Sequence, residues 1–220
     1  MFYIKQFCTL QHLEQVSLCS NSQRIMLDKF NHDLPVIDSN ENVLSLFNRS
    51  VQKYKERPAI VYNHKTLTYQ QLDKLSSKIA KQIITSIGNS GTKKQESIIS
   101  IIVKRNEDMV ICSLAALKAG CAYQPIDPTY PDDHIRIMVN DAKPCLILAH
   151  REFVERFSNL NAPLLIVENA KNSNEQDNSS IHLHTSAKFN SLFALLYTSG
   201  SSGTPKGVMI EHGNLAAFCR

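Results

Sequence analysis

Residues 97–103, Ser-Ile-Ile-Ser-Ile-Ile-Val, form an apolar run rich in β-branched side chains, and the helix signals directly after it restrict the chain more than any other feature. A strand that is apolar on both faces needs cover on both, which a parallel sheet between helices supplies. Asn106 is placed to cap the next helix, Glu107 and Asp108 suit its positive end, residues 109–119 fill it, and Gly120 stands where a C-terminal glycine belongs. The pattern then recurs. Residues 132–141 read as helix with Pro144 as stop, 145–149 as strand, 151–157 as a short helix and 164–167 as a third strand. Residues 192–197 are the next strand and Val208-Met209-Ile210 its returning partner. Strands alternating with helices predict the α/β class, with a mostly parallel sheet flanked by helices.

Upstream, apolar residues at helical spacing predict a helix near 42–55, closed by Pro58. Residues 59–62 and 66–68 flank Asn63-His64-Lys65 and read as a β-hairpin, because asparagine tolerates a left-handed turn. Leu72, Leu75, Ile79, Ile83 and Ile84 define a second amphipathic helix running to Gly88, followed by a polar loop over 89–96. Residues 169–180 hold four Asn and three Ser with almost nothing apolar, and read as an exposed connection.

Composition narrows the function classes. With 220 residues, 43% of them hydrophobic and 20% charged, the chain has a globular balance and can bury a sizeable core. Its formal charge of +4 is spread out, and pairs such as Lys93-Lys94 and Lys104-Arg105 are too short for a nucleic-acid stripe, so no nucleic-acid partner is expected. The six cysteines show no C-x-x-C spacing, which fits reduced thiols. Polar residues interrupt the first 20 positions too often for a signal peptide, and no apolar stretch reaches membrane length. A cytoplasmic protein without a membrane partner is expected. His182 and His184 have no third ligand in view, so no metal site is assigned to them.

Chemistry concentrates in residues 198–207, Thr-Ser-Gly-Ser-Ser-Gly-Thr-Pro-Lys-Gly. Three of the chain's seven glycines, Gly200, Gly203 and Gly207, fall within eight residues there. Scarce glycine gathered in one place marks a backbone that must approach something closely. Thr198, Ser199, Ser201, Ser202 and Thr204 supply hydroxyls, the small residues leave N–H groups open, and Lys206 adds a positive charge. Phosphate oxygens match all three features. A Walker A loop, G-x-x-x-x-G-K-[ST], requires adjacent glycine and lysine ahead of a helix. Here Pro205 precedes Lys206, so that register is absent, and the 88–94 segment lacks it too. A plain Gly/Ser turn between strands is the bland reading, but it leaves the flanking apolar strand and Pro205-Lys206-Gly207 without a purpose.

The segment from Tyr197 to Val208 resembles the signature loop of the adenylate-forming superfamily, which includes acyl-CoA synthetases, luciferases and the adenylation domains of non-ribosomal peptide synthetases; Ser202 stands where threonine is usual. Leu117 to Pro131 is similar to a motif of amino-acid-adenylating domains, with Gln124 for a usual valine, and Leu67 to Leu72 resembles their first core motif. Ser22 to Asn31 resembles the linker from an upstream condensation domain. The resemblance implies a linker-like segment over 1–40 and the N-terminal part of the large AMP-binding (adenylation) domain over 41–220. It implies ATP and Mg²⁺ as cofactors, with Thr198, Ser199, Gly200, Ser201, Ser202, Gly203, Thr204 and Lys206 holding the β- and γ-phosphates and Lys206 as the catalytic residue.

It further implies activation of an amino acid as aminoacyl-adenylate, then loading onto phosphopantetheine of a carrier domain, with carrier and condensation domains as partners. An acyl-CoA ligase of the same superfamily is the alternative, and a non-catalytic remnant the other. The family's unit runs well past the position of Arg220, so a truncated chain, inactive alone and with apolar sheet surface exposed, is expected. The Leu117 to Pro131 segment is expected to be scaffold, and His212 to be a packing residue.

Overall fold

A computed structural model describes residues 19–31, 42–88, 97–173, 183, 187–199 and 205–219. The chain divides into two units, Met1–Ile37 and Asp38–Arg220. In the first, within the segment expected to be a linker, lies helix α1 (Asn21–Asn31). A reciprocal cap starts it: Gln23 N–H donates to Ser20 Oγ (3.3 Å), and Ser20 N–H donates to Gln23 Oε1 (2.8 Å).

The second unit begins with α2 (Val43–Lys53), whose cap Asn42 accepts from Ser45 N–H while Ser45 Oγ accepts from Asn42 N–H. Strands β1 (Pro58–Tyr62) and β2 (Lys65–Thr68) form the expected hairpin. Its turn is tighter than expected, because Asn63 adopts φ 52° and Lys65 already pairs with Tyr62. Helix α3 (Tyr69–Gly88) leads towards the main sheet, which is built from β3 (Ile98–Ile102), α4 (Glu107–Lys118), β4 (Ala122–Ile126), α5 (Asp132–Ala142), β5 (Leu146–Ala149), a 3₁₀ turn (Arg151–Phe153) running into α6 (Val154–Phe157), and β6 (Leu164–Ile166). Helix α7 (Val167–Asn172), β7 (Leu192–Thr198), β8 (Lys206–Glu211) and α8 (His212–Phe218) complete it. The sheet order is β6-β5-β3-β4-β7-β8, parallel throughout except for the antiparallel last pair.

Burial follows the sheet's two-residue alternation. Ile99 and Ile101 pack with α3 and α4, whereas Ile102 packs with Ile126 and the α5 residues Ile135, Met138 and Val139. Strand β4 was hidden in the sequence by Gln124 and Pro125. Gln124 is fully buried yet satisfied: it accepts from Ser100 Oγ (2.5 Å) and donates to Met138 O (3.2 Å). Proline is tolerated because β4 meets β7 at one register position, Tyr123 opposite Ala194, ahead of Pro125.

Two other expectations change. Lys143, at φ 47°, terminates α5 before Pro144 is reached. Residues 167–172 are helical, so Val167 does not extend β6 and 169–172 are not loop; Val167 and Ala170 are buried against the core, which the polar neighbours concealed. Residues 174–180 lie outside the described residues.

Two buried charged clusters hold the helices in place. The ammonium of Lys118, buried at the end of α4, donates to Asp73 Oδ1 (2.7 Å), Asp73 O (3.0 Å), Ser76 Oγ (2.8 Å) and Ser77 Oγ (2.9 Å) on α3. Burial lowers its pKa, and Asp73 opposes that shift. Asp108 bonds His150 Nε2 (2.9 Å) and Lys171 Nζ, tying α4 to the end of β5 and to α7. Burial alone would raise its pKa, but those two partners outweigh it and hold the carboxyl below the usual range.

Candidate functional site

The parallel strand β7 leaves the sheet at Thr198 and returns as β8 from Lys206, so residues 199–205 join two antiparallel strands. A Walker loop runs from strand into helix; here strand follows strand, in keeping with the register argument from sequence. Among the predicted site residues, Thr198 and Lys206 are brought together as direct partners across the ladder, and both are exposed. Ser199 is exposed beside them. Gly200, Ser201, Ser202, Gly203 and Thr204 lie outside the described residues, as do His182 and His184.

The stem is fastened from one side. The Tyr197 hydroxyl donates to Asp141 Oδ2 at the end of α5 (2.6 Å). Its ring packs with the apolar layer of Ile102, Ile126, Met138 and Val139. Burial and the adjacent Asp141 both push the phenol's pKa up, so the proton stays on the hydroxyl. Opposite Tyr197 stands Gly207. A Cβ on Gly207 would lie 3.0 Å from Leu195 Cδ1 and 3.3 Å from Tyr197 Cζ, so this glycine makes room for the tyrosine ring. Its presence in the glycine cluster therefore has a packing reason.

At the carboxyl end of the neighbouring strand β4, Asp127 accepts from Thr129 Oγ1 (2.7 Å) and Thr129 N–H (2.9 Å) and faces Arg105 at 3.6 Å. The Thr129 bonds, then Arg105, hold this carboxyl below its ordinary range. The positive charge of Lys206 has no acidic partner among the described residues. A hairpin end offering hydroxyls and a lysine without an acidic partner among the described residues fits polyanionic oxygen ligands. His212 sits at the other end of β8, buried edge-on against Phe193 (5.4 Å between centroids), with Nδ1 unpartnered among the described residues. It packs locally, away from the 198–207 end of the hairpin.

From sequence, Tyr197 had no role beyond its place in the motif, and Asp141 was missed. The signal was the pairing of a tyrosine just before the loop with a glycine just after it, which brings the ring across the hairpin.

The chain belongs to the AMP-binding enzyme family, whose model matches residues 47–220. Among curated relatives it is similar to gramicidin S synthase 2 of Brevibacillus brevis, with 30% identity over 223 residues, covering 93% of this chain and 5% of that protein. It is also similar to bacitracin synthase 1 of Bacillus licheniformis, with 29% identity over 208 residues, covering 94% of this chain and 4% of that protein. The chain thus spans only a small part of the length of these relatives. Among solved structures the fold resembles an artificially fused adenylation–PCP di-domain of a non-ribosomal peptide synthetase from Klebsiella oxytoca, with TM-score 0.69 and 21% identity over 82% of this chain and 34% of that one. It resembles O-succinylbenzoate coenzyme A synthetase from Bacillus subtilis, in complex with AMP, with TM-score 0.67 and 19% identity over 79% of this chain and 43% of that one. No helix among the described residues is long and apolar enough to cross a membrane.

Proposed function

We propose that this chain supplies the pyrophosphate-holding part of an ATP site in an enzyme that activates an amino acid as its aminoacyl-adenylate. The observation that carries the reading is the pairing of Thr198 with Lys206, which gathers both ends of the Ser/Thr/Gly-rich loop at the carboxyl edge of the sheet. In adenylation a carboxylate oxygen attacks the α-phosphorus of ATP and pyrophosphate leaves, with Mg²⁺ sharing the phosphate charge when bound. Thr198, Ser199, Ser201, Ser202 and Thr204 donate hydroxyl hydrogen bonds to the β- and γ-phosphates, and Gly200 and Gly203 let the main chain come close. Lys206 neutralises the charge that grows on the departing pyrophosphate.

The similarity to gramicidin S synthase 2 and bacitracin synthase 1 supports an amino acid over other carboxylic acids as the substrate, and the likeness to an adenylation–PCP di-domain supports a carrier domain as acceptor. On this reading the product is handed to phosphopantetheine on that carrier, in a larger cytoplasmic assembly that includes a condensation domain.

The test is amino-acid-dependent exchange of pyrophosphate into ATP by the full-length gene product. Lys206→Ala should lower exchange by about tenfold to a hundredfold, the cost of one charge-assisted hydrogen bond to phosphate. Unchanged exchange would remove Lys206 from the site.

A further inference from the structure

We infer that Tyr197 and Asp141 act as a latch that sets the position of the phosphate-holding hairpin, making Tyr197 a positioning residue for the site proposed above. The inference rests on that reading for its purpose, although the latch itself rests on geometry. Tyr197 precedes Thr198 directly, and its hydroxyl reaches out of the sheet to Asp141 Oδ2 at 2.6 Å. Asp141 lies one residue before the end of α5, a helix fixed on the sheet by Ile135, Met138 and Val139. The hydrogen bond therefore ties an exposed strand end to a packed element.

The other strand of the stem is held through the same ring. Gly207 faces Tyr197 across the ladder, and its missing Cβ would meet the ring at 3.3 Å. The ring thus lies close over the main chain next to Lys206. Fixing Tyr197 fixes Thr198 on one side and Lys206 on the other, the pair that closes the hairpin. A hydrogen bond to a carboxylate is stronger than one between neutral groups, and the phenol keeps its proton for it. None of the atoms in the latch is a phosphate donor in the proposed site. Its effect on binding comes through placement of the donors.

The test uses the 220-residue chain with two readouts, amide hydrogen exchange and calorimetric titration with magnesium pyrophosphate. Tyr197→Phe keeps the ring and removes only the donor. It should speed exchange at the Thr198, Ser199 and Lys206 amides by about threefold or more, and weaken pyrophosphate binding by about threefold to tenfold. The melting temperature should stay within about 2 °C, because the ring's burial is retained. Asp141→Ala removes the acceptor and should speed exchange at the same amides; the double variant should match either single one, as partners in one interaction do. Exchange at wild-type rates in both single variants, or additive effects in the double variant, overturns the latch. Failure of the unsubstituted chain to bind magnesium pyrophosphate overturns the phosphate reading instead, and the exchange comparison still decides the latch.

Discussion

The α-carbon of Gly207 lies under the ring of Tyr197, so close that a methyl group there would sit 3.0 Å from Leu195 Cδ1 and 3.3 Å from Tyr197 Cζ. Gly207→Ala should therefore push the ring off its contact and cost about 1 kcal/mol, a mild overpacking penalty because the ring can give by a few tenths of an ångström. Urea unfolding of the two proteins measures it. Stability at or above the unsubstituted level would mean that the ring does not rest there.

Lys118 joins α4 to α3 through a buried ammonium with four donor contacts, two to Asp73 and one each to Ser76 and Ser77. Lys118→Ala should destabilise the fold by about 3 kcal/mol, since it opens a cavity and strips the Asp73 carboxylate and two hydroxyls of their donor. Lys118→Met, which keeps most of the volume beside Phe47, should cost roughly half as much. Equal losses in the two variants would assign the effect to charge alone.

Acid stability should fall in two windows. Burial pushes the His212 imidazole down to about 4, from the ordinary 6.5, so the folded state binds its proton less readily than the unfolded chain does. Its contribution is complete above pH 6.5 and declines as pH drops towards 4, at no more than about 1.4 kcal/mol per pH unit. Asp108 has a lowered folded pKa, so its contribution is present above its unfolded pKa and is lost only as pH falls through the lower folded value. Unfolding titrations of His212→Phe should lose the upper window and retain the lower one. A variant that still weakens between pH 6.5 and 4 would place the upper window elsewhere.

Edge strand β8 carries Met209 at 74% exposure and Val208 at 46%, with β7 as its pairing partner in the described sheet. An apolar strand of this kind pairs readily with other chains. Met209→Lys should shift the 220-residue chain towards monomer in sedimentation velocity, and an unchanged distribution would show that self-association does not use this edge.

Much of the fold was legible because its signals are local. Asn106 caps its helix as the pattern required, Asn63 makes the turn, and the apolar run at 97–103 holds the central strand. What stayed hidden depended on contacts from afar. Strand β4 is masked by a glutamine whose amide is answered only by Ser100 and the Met138 carbonyl, and 169–172 read as loop although Ala170 is buried in the core. Lys143 ends α5 through a left-handed conformation that its side chain does not announce. At the candidate site the loop's hydroxyls, glycines and lysine were plain in the sequence, and their phosphate role stands as the proposal above. The loop's fastening was not plain, because Tyr197 and Asp141 are 56 residues apart and meet only when α5 packs on the sheet.

Carboxylate activation by way of the 198–207 loop is tested most directly by ATP–pyrophosphate exchange in the full-length gene product across a panel of amino acids and of carboxylic acids lacking the α-amino group. Exchange should appear with one amino acid or a small related set and depend on Lys206. Exchange driven only by carboxylic acids without the amine, or none with any substrate, would contradict amino-acid adenylation.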